Sequence, residues 1–293
     1  MMRDVTRGEK AEERSALRLQ VQSQFAPFLQ TVSQVSQSVL MLDYDGTLAP
    51  FQVNRDQAYP YPGVTFMIRE IMNTARTRVI IVTGRDANEV RQLLNIYPHP
   101  EIWGVHGLQR LRVDGSIEME RLDERTLDGL SDADGWLSYL QLRYVAEFKA
   151  GSIAIHWRGL QEIEEEDLRA RVLLGWRPIA EHSGLDLLQF DGGVEIRARE
   201  ANKGDAVRTF LSEVSPDAPA AYLGDDATDE SAFLAINGRG LSVLVRPESR
   251  KTAAQFWIKP PEELLDFLGC WLKTCVESDT SSSDSGAAAA VNR

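Results

Sequence analysis

The sequence has too few cysteines for a disulfide framework. Cys270 and Cys275 lie near the end of the chain, and their spacing does not match a metal-ligand pattern. We interpret both as small apolar residues close to a final helix. With 293 residues, of which 43% are hydrophobic, the chain can instead bury a substantial core in one large domain or two modest ones.

Long apolar runs are also missing. No apolar stretch reaches the ~18 residues that a membrane-spanning helix requires. Residues 1–18 mix Arg, Lys and Glu, and they lack the apolar segment of a secretory signal. These absences predict a cytoplasmic protein with no membrane partner.

Positive charge is scarce. The chain has 32 Lys and Arg against 44 Asp and Glu, which gives a net charge of −12. A nucleic-acid surface needs clustered cations, so this balance predicts no nucleic-acid partner. If the substrate is an anion, a few placed cations or a metal ion must overcome the acidic background.

Uninterrupted apolar runs are what the chain does contain. They occupy residues 39–42, 79–82 and 220–223; further short strands are predicted at 102–105 and 241–245, and helical patterns separate most of these segments. Runs without alternation are typical of parallel strands that helices cover on both faces. The pattern predicts an α/β fold, namely a Rossmann-like doubly wound parallel sheet.

The alternation of strands and helices is interrupted once, after residue 107, by segments with hairpin patterns, and this predicts an insertion. We divide the chain into an N-terminal helical segment at 1–36, a core at 37–107 and 198–276, an inserted α+β cap at 108–197, and a disordered tail at 277–293. The tail is rich in Ser, Asp and Ala.

Hairpin signals support the assignment of the cap. Asp114-Gly115 is a turn signal within 111–117, and a second hairpin runs through 191–193. In this division the chain crosses between core and cap at 105–112 and 197–202. We therefore expect these two segments to be hinges whose closure excludes water from the site.

Polar residues follow the predicted parallel strands at their carboxyl ends, where open α/β sheets bind ligands. They are Asp43, Asp45, Thr83, Asp225, Asp226 and Asp229, and Lys203 begins a helix. Converging carboxylates cannot all be ionised without a cation, and Mg²⁺ prefers such oxygen ligands. Taken singly, Asp43 and Asp45 could instead be turn formers, and Thr83 could simply start a turn.

This set of side chains suits phosphoryl transfer. Asp43 would be the nucleophile, and Asp45 would be the general acid and base. Mg²⁺, Lys203 and Thr83 would neutralise the oxygens of the transferred group.

The same residues carry a family resemblance. Asp43-Tyr44-Asp45-Gly46-Thr47-Leu48, Thr83, Lys203 and Gly224-Asp225-Asp226-Ala227-Thr228-Asp229-Glu230 resemble, in this order, the four motifs of the haloacid dehalogenase superfamily of phosphatases. The resemblance spans residues 38–245. The insertion is similar to the α/β cap that this superfamily carries between its second and third motifs.

Within the superfamily, the chain is most similar to trehalose-6-phosphate phosphatases. The segments that carry this similarity are Thr83-Gly84-Arg85, His106-Gly107, Val145-Ala146-Glu147-Phe148-Lys149, Ala154-Ile155-His156-Trp157-Arg158 and Glu195-Ile196-Arg197. The resemblance implies Mg²⁺-dependent hydrolysis of trehalose 6-phosphate through an aspartyl-phosphate. It also implies a small-molecule sugar phosphate as partner, and a trehalose-phosphate synthase of the same pathway is a candidate protein partner.

The resemblance assigns the individual residues as well. Asp43, Asp45 through its backbone carbonyl, and Asp225 would bind the metal, with Asp229 and Asp226 in support. The substrate would be bound by Arg85, His106, Glu147, Lys149, Arg158 and Glu195. On a strand, residues two apart share a face, so Glu147 and Lys149 project together, and mixed acids and bases suit a ligand with many hydroxyls. The alternative is a solvent-exposed sheet face with ordinary ion pairs.

Some positions depart from the family pattern. Ala198 stands where Pro usually follows Glu-Ile-Arg, Gly192-Gly193 lacks the usual Gly-Lys, and Trp157 replaces Tyr or Phe. The substrate could therefore be glucosylglycerol phosphate, sucrose phosphate, mannosyl-phosphoglycerate or another sugar phosphate. A non-catalytic regulatory module, such as a phospho-acceptor receiver domain, is a third hypothesis.

Overall fold

A computed structural model describes residues 19–190, 192–200 and 202–288. Among these residues the chain forms two sheets and the helices that cover them. The strands are β1 (Ser38–Leu42), β2 (Thr77–Val82), β3 (Glu101–Gly104), β4 (Gln109–Leu111), β5 (Ile117–Met119), β6 (Ala146–Lys149), β7 (Ser152–His156), β8 (Asp186–Phe190), β9 (Gly193–Arg197), β10 (Ala220–Gly224), β11 (Leu241–Val245) and β12 (Phe256–Ile258). The helices are α1 (19–33), α2 (Val64–Asn73), α3 (Ala87–Leu94), α4 (Glu124–Tyr139), α5 (Glu162–Ser183), α6 (Lys203–Ser212), α7 (Glu230–Ile236) and α8 (Glu262–Ala288).

The larger sheet forms the core domain. Its strand order is β12-β11-β10-β1-β2-β3-β4-β5, and the strands from β12 to β3 run parallel. The first strand, β1, therefore lies in the middle, between β10 and β2. This arrangement confirms the predicted doubly wound α/β core.

Apolar residues on both faces of β1 explain why this strand is central. Leu40 and Leu42 pack into the cluster that also contains α1, α2, α3 and α8. Val39 and Met41 point the other way, toward α6 and α7. Residues 39–42 are all apolar and buried, so the first carboxylate, Asp43, comes directly after the strand at the edge of the sheet.

The smaller sheet forms the cap. Its order is β6-β7-β9-β8, and all pairs are antiparallel. Helices α4 and α5 cover one face around the fully buried Trp176. Trp157 belongs to the same cluster, which places its ring in the core of the cap.

The first hairpin corrects the predicted start of the cap. It forms over β4 and β5, but β4 pairs with β3 and so extends the core sheet. A turn at residues 105–107 reverses the chain beside β3 and gives that strand a hydrogen-bonded neighbour. The chain therefore leaves the core sheet through residues 120–123 and not at 105–112. The hinge motion itself stays a prediction. The return crossing follows β9, within the predicted 197–202.

Both ends of the described chain are helical. Helix α1 confirms the N-terminal helical segment over 19–33, while residues 1–18 lie outside the described part. Helix α8 begins at Glu262 and continues to Ala288. The predicted disorder over 277–293 stays a prediction. Residues 289–293 lie outside the description. None of the described helices combines the length and the apolar character that crossing a lipid bilayer requires.

Candidate active site

The predicted catalytic residues meet at the carboxyl edge of the core sheet. Asp43 follows β1, Thr83 follows β2 and Asp225 follows β10, while Lys203 is the first residue of α6. Because β2 and β10 flank β1 in parallel register, their ends lie side by side. All four side chains are buried.

Lys203 binds two of the acids. Its Nζ donates to Asp43 Oδ1 at 2.6 Å and to Asp229 Oδ1 at 2.8 Å. Burial alone would lower the pKa of Lys203, but the charges of Asp229 and Asp43 hold that pKa above its ordinary value. The lysine is therefore a fixed cation beside Asp43.

Ionisation of the carboxyl groups of Asp43 and Asp225 is unfavourable in this buried position. Burial, followed by the charge of Asp229, raises the pKa of Asp43 to about 7, although Lys203 acts in the opposite direction. Burial, followed by the charge of Asp43, raises the pKa of Asp225 well above its usual range. In addition, Asp225 Oδ2 is buried without a hydrogen-bond partner. A group of this kind gains from a cation.

A metal ion would fit this cluster. Each of Asp43, Asp225 and Asp229 offers one carboxylate oxygen, and these atoms lie within 4.8 Å of one another. Three hard oxygen donors, together with the unpartnered Oδ2 of Asp225, form a set of ligands that suits a divalent cation such as Mg²⁺ or Ca²⁺.

Asp229 mainly organises the cluster. Its Oδ1 accepts hydrogen bonds from Lys203 and from the hydroxyl of Tyr222 at 2.6 Å. Its Oδ2 accepts the backbone N–H groups of Asp225 and Asp226, each at 3.0 Å. Tyr222 was not singled out by the sequence, where it is one residue of an apolar run.

Two other predicted metal residues are not brought into the cluster by their side chains. Asp226 Oδ1 accepts the N–H of Ala227 at 2.7 Å and lies 3.8 Å from Arg246 Nη1, so it caps the turn that follows β10. The side chain of Asp45 is bound by Arg85. The predicted contact through the backbone carbonyl of Asp45 stays a prediction.

Arg85 holds both oxygens of Asp45. Its Nε donates to Oδ2 at 2.6 Å and its Nη2 to Oδ1 at 2.7 Å. Its Nη1 donates to the carbonyl oxygen of Arg55 at 2.9 Å. The guanidinium, predicted to bind substrate, thus orients the predicted acid and base. Thr83 Oγ1 accepts the N–H of Arg85 at 3.1 Å, so its hydroxyl also shapes this turn.

A cavity of about 200 Å³ separates this edge from the cap sheet. Core and cap both contribute ionisable side chains to its walls. These are Asp43, Asp45, Arg55, Arg85, His106, Lys203, Asp225 and Asp226 from the core, and Glu147, Lys149, His156, Arg158 and Glu195 from the cap.

The cap carboxylates already have partners. Glu195 is 1% exposed, and its Oε1 accepts from Ser152 Oγ at 2.7 Å and Lys149 Nζ at 3.2 Å. Burial opposes its charge, but Lys149 and the bonded His106 hold the pKa of Glu195 well below its usual range. Glu147 binds Arg55 and lies 2.8 Å from His156 Nε2. Both acids are therefore ionised hydrogen-bond acceptors.

His106 connects the core to the cap. Its Nε2 lies 3.1 Å from Glu195 Oε2, and its Nδ1 is buried without a partner. Burial lowers the pKa of His106 to about 4 despite the charge of Glu195. The ring is therefore neutral near pH 7, and its Nε2–H donates to Glu195.

The loop after Asp45 contributes residues that sequence reasoning missed. Arg55 reaches across the cavity to Glu147, and the guanidinium of Arg158 lies 3.9 Å from the centre of the Phe51 ring. The prolines of this segment predicted a loop near the acidic edge, but no pattern identified which of its residues would contact the cap.

Comparisons with known proteins agree with this architecture. A family model described as trehalose-phosphatase matches residues 41–260. The chain is 30% identical over 259 residues to a Mycobacterium tuberculosis protein named "uncharacterized glycosyl hydrolase", covering 82% of this chain but 19% of that protein. It is 28% identical to the trehalose-phosphate phosphatase of Mycobacterium marinum, covering 80% of this chain and 61% of that protein. The chain thus spans about a fifth to about three fifths of the length of these relatives.

Solved structures give the same result. The crystal structure of a trehalose-6-phosphate phosphatase related protein aligns with a TM-score of 0.62 and 26% identity, covering 82% of this chain and 99% of that chain. Structures from the wider haloacid dehalogenase superfamily also align over 80% of this chain and share its fold. The resemblance predicted from the motifs is thereby confirmed, and the chain belongs to the trehalose-phosphatase family.

Proposed function

We propose that the chain is a Mg²⁺-dependent phosphatase that hydrolyses trehalose 6-phosphate to trehalose and phosphate. The observation that carries the proposal is the position of Asp43. Its carboxylate is fixed by Lys203 at the base of a cavity whose opposite wall is a set of charged cap residues. The names of the Mycobacterium marinum relative and of the aligned solved structure support this substrate.

The core residues suit a two-step transfer. An oxygen of Asp43 attacks phosphorus, the bond between phosphorus and the sugar oxygen breaks, and Asp45 gives its proton to that oxygen. Water then attacks phosphorus, Asp45 takes a proton from the water, and the bond to Asp43 breaks, which releases phosphate. Lys203 supplies a fixed positive charge, and the hydroxyl of Thr83 can donate to a phosphoryl oxygen.

Asp43 and Asp225 would hold the metal, with Asp229 fixing the loop beside them. When bound, Mg²⁺ would offset negative charge on the carboxylates and on the phosphoryl oxygens. The unpartnered oxygen of Asp225 supports this assignment.

The cap would select the sugar. Glu147 and Glu195 accept hydrogen bonds, whereas Lys149 and Arg158 donate them, so the wall matches a ligand with many hydroxyl groups. A cytoplasmic location and an association with a trehalose-phosphate synthase stay predictions of the sequence.

The proposal is tested by phosphate release from a panel of sugar phosphates, with and without EDTA. We expect turnover of trehalose 6-phosphate that EDTA abolishes, and loss of turnover in Asp43→Asn. The exposed Asp217→Asn is the matched control and should keep wild-type rates. Turnover of another sugar phosphate but not of trehalose 6-phosphate would overturn the substrate. No turnover of any compound would favour a regulatory module.

A further inference from the structure

The loop that follows Asp45 is anchored beneath the cap. The hydroxyl of Tyr44 donates to the carbonyl oxygen of Ala58 at 2.8 Å, and the N–H of Tyr61 donates to that of Leu48 at 2.9 Å. These bonds fix the far end of the loop, at residues 58–61, to the segment that carries Asp45. Arg55 therefore projects from a defined place.

The side chain of Arg55 binds the cap. Its guanidinium forms an ion pair with Glu147, and the two side chains are 30% and 22% exposed. Glu147 is held from the other side by His156 Nε2 at 2.8 Å. Partly buried charge pairs of this kind are more specific than exposed ones, because less water competes for the carboxylate.

The backbone of Arg55 binds the catalytic edge. Its carbonyl oxygen accepts from Arg85 Nη1, while the other two donors of that guanidinium hold Asp45. Arg85 is 2% exposed and so has little space in which to move. One residue of the loop thus contacts a cap carboxylate with its side chain and the partner of Asp45 with its backbone.

We propose that Arg55 is a positioning residue that couples the cap to the acid and base, through Glu147 on one side and Arg85 and Asp45 on the other. This inference rests on the proposed function. Engagement of Glu147 holds the loop so that its carbonyl keeps Arg85 aligned on Asp45. The cap then affects proton transfer to the leaving oxygen in addition to the choice of sugar.

Leaving groups of different basicity test the coupling. A sugar alkoxide needs a proton as it leaves, whereas p-nitrophenolate leaves without one. In single-turnover measurements, Arg55→Ala should therefore slow formation of the aspartyl-phosphate from the sugar phosphate by about 10- to 100-fold, and its formation from p-nitrophenyl phosphate by less than about threefold. Arg55→Lys keeps the charge and should restore part of the loss. Arg112→Ala removes a surface ion pair with Glu118 and is the control.

Two results would overturn the coupling. One is a rise in KM with unchanged kcat, which would make Arg55 a direct substrate contact. The other is found by combining Arg55→Ala with Asp45→Asn. Both changes should impair the same proton transfer by Asp45, so Arg55→Ala should cause no further loss of rate in the Asp45→Asn background. Losses that multiply independently would contradict the coupling. Circular dichroism and thermal unfolding establish that each variant is folded.

A crystal structure of Arg55→Ala separates this inference from the proposed function. We expect Arg85 to lose at least one of its two bonds to Asp45. Unchanged bonds would overturn the coupling whatever the enzyme hydrolyses. If the wild type hydrolyses no sugar phosphate, the proposed function fails. The crystal structure of Arg55→Ala still decides in that case whether the loop positions Asp45.

Discussion

Gly46 shows how closely the acids approach the turn after β1. Its φ is +79°, and a Cβ at this position would lie 2.1 Å from Asp225 Oδ2. Only a residue without a side chain allows the carboxylate of Asp225 to reach its place beside Asp43.

Gly46→Ala should therefore disrupt the proposed cation site. We expect phosphate release to fall at least about 100-fold, and the increase in thermal unfolding temperature caused by Mg²⁺ to disappear, because Asp225 is displaced. Gly115→Ala is the matched control, since Gly115 also has a positive φ, +87°, but nothing lies within 4 Å of its added Cβ. Equal losses in both variants would attribute the effect to backbone strain alone.

The residues that sequence reasoning placed correctly are those fixed by the ends of elements. Asp43 and Asp225 follow buried strands, and Lys203 begins a helix, so their meeting depends only on the parallel order of the strands. The pairing of Asp45 with Arg85 and the pairing of Arg55 with Glu147 depend on side-chain directions in loops. No sequence period reports these directions.

At the scale of elements, α1 belongs to the core domain. Phe25 is 1% exposed, and its ring centre lies 5.3 Å from that of Phe256 and 4.9 Å from that of Phe267, both edge to face. The helix therefore covers the side of the sheet that α8 also covers.

Phe25→Ala should destabilise the protein by about 3–5 kcal/mol, because it removes a buried ring and leaves a cavity. Leu19→Ala is the control on the same helix, since Leu19 is 63% exposed and should cost little. Urea unfolding measures both changes. A loss below about 1 kcal/mol for Phe25→Ala would show that α1 is not part of the cooperative core.

The hairpin of β4 and β5 shows where element-level prediction stops. The Asp-Gly turn identified a hairpin correctly, because a turn is local. The pairing of β4 with β3 depends on the short turn at residues 105–107, which has no comparable sequence signal, and it covers an edge of β3 that would otherwise lack hydrogen bonds. Sequence reasoning therefore found the element and assigned it to the wrong domain.

At the scale of the whole molecule, core and cap share the contact between His106 and Glu195. The ordinary pKa of a histidine is 6.5, and burial lowers that of His106 to about 4 in the folded protein. Between these values the unfolded chain binds more protons than the folded one. The stabilisation is thus complete above about pH 6.5 and decreases as pH falls toward 4.

His106→Gln should flatten the pH dependence of the free energy of unfolding in this window. The wild-type slope contains a contribution of up to about 1.4 kcal/mol per pH unit from one such group. The exposed His182→Gln should leave the slope unchanged. Equal slopes for His106→Gln and the wild type from pH 4.5 to 6.5 would show that the imidazole is protonated in the folded state. That result would contradict a neutral His106 ring that donates its Nε2–H to Glu195.

The strand order also has a consequence for biosynthesis. During translation, β1 and its Asp43 leave the ribosome before the whole cap, and β10 with Asp225 follows after it. An unfinished chain can complete the cap sheet from contiguous residues, but it cannot pair β1 with β10. Each newly made molecule therefore brings Asp43 and Asp225 together only when the second half of the core has emerged, so the proposed Mg²⁺ site would stabilise the finished protein and not its precursors.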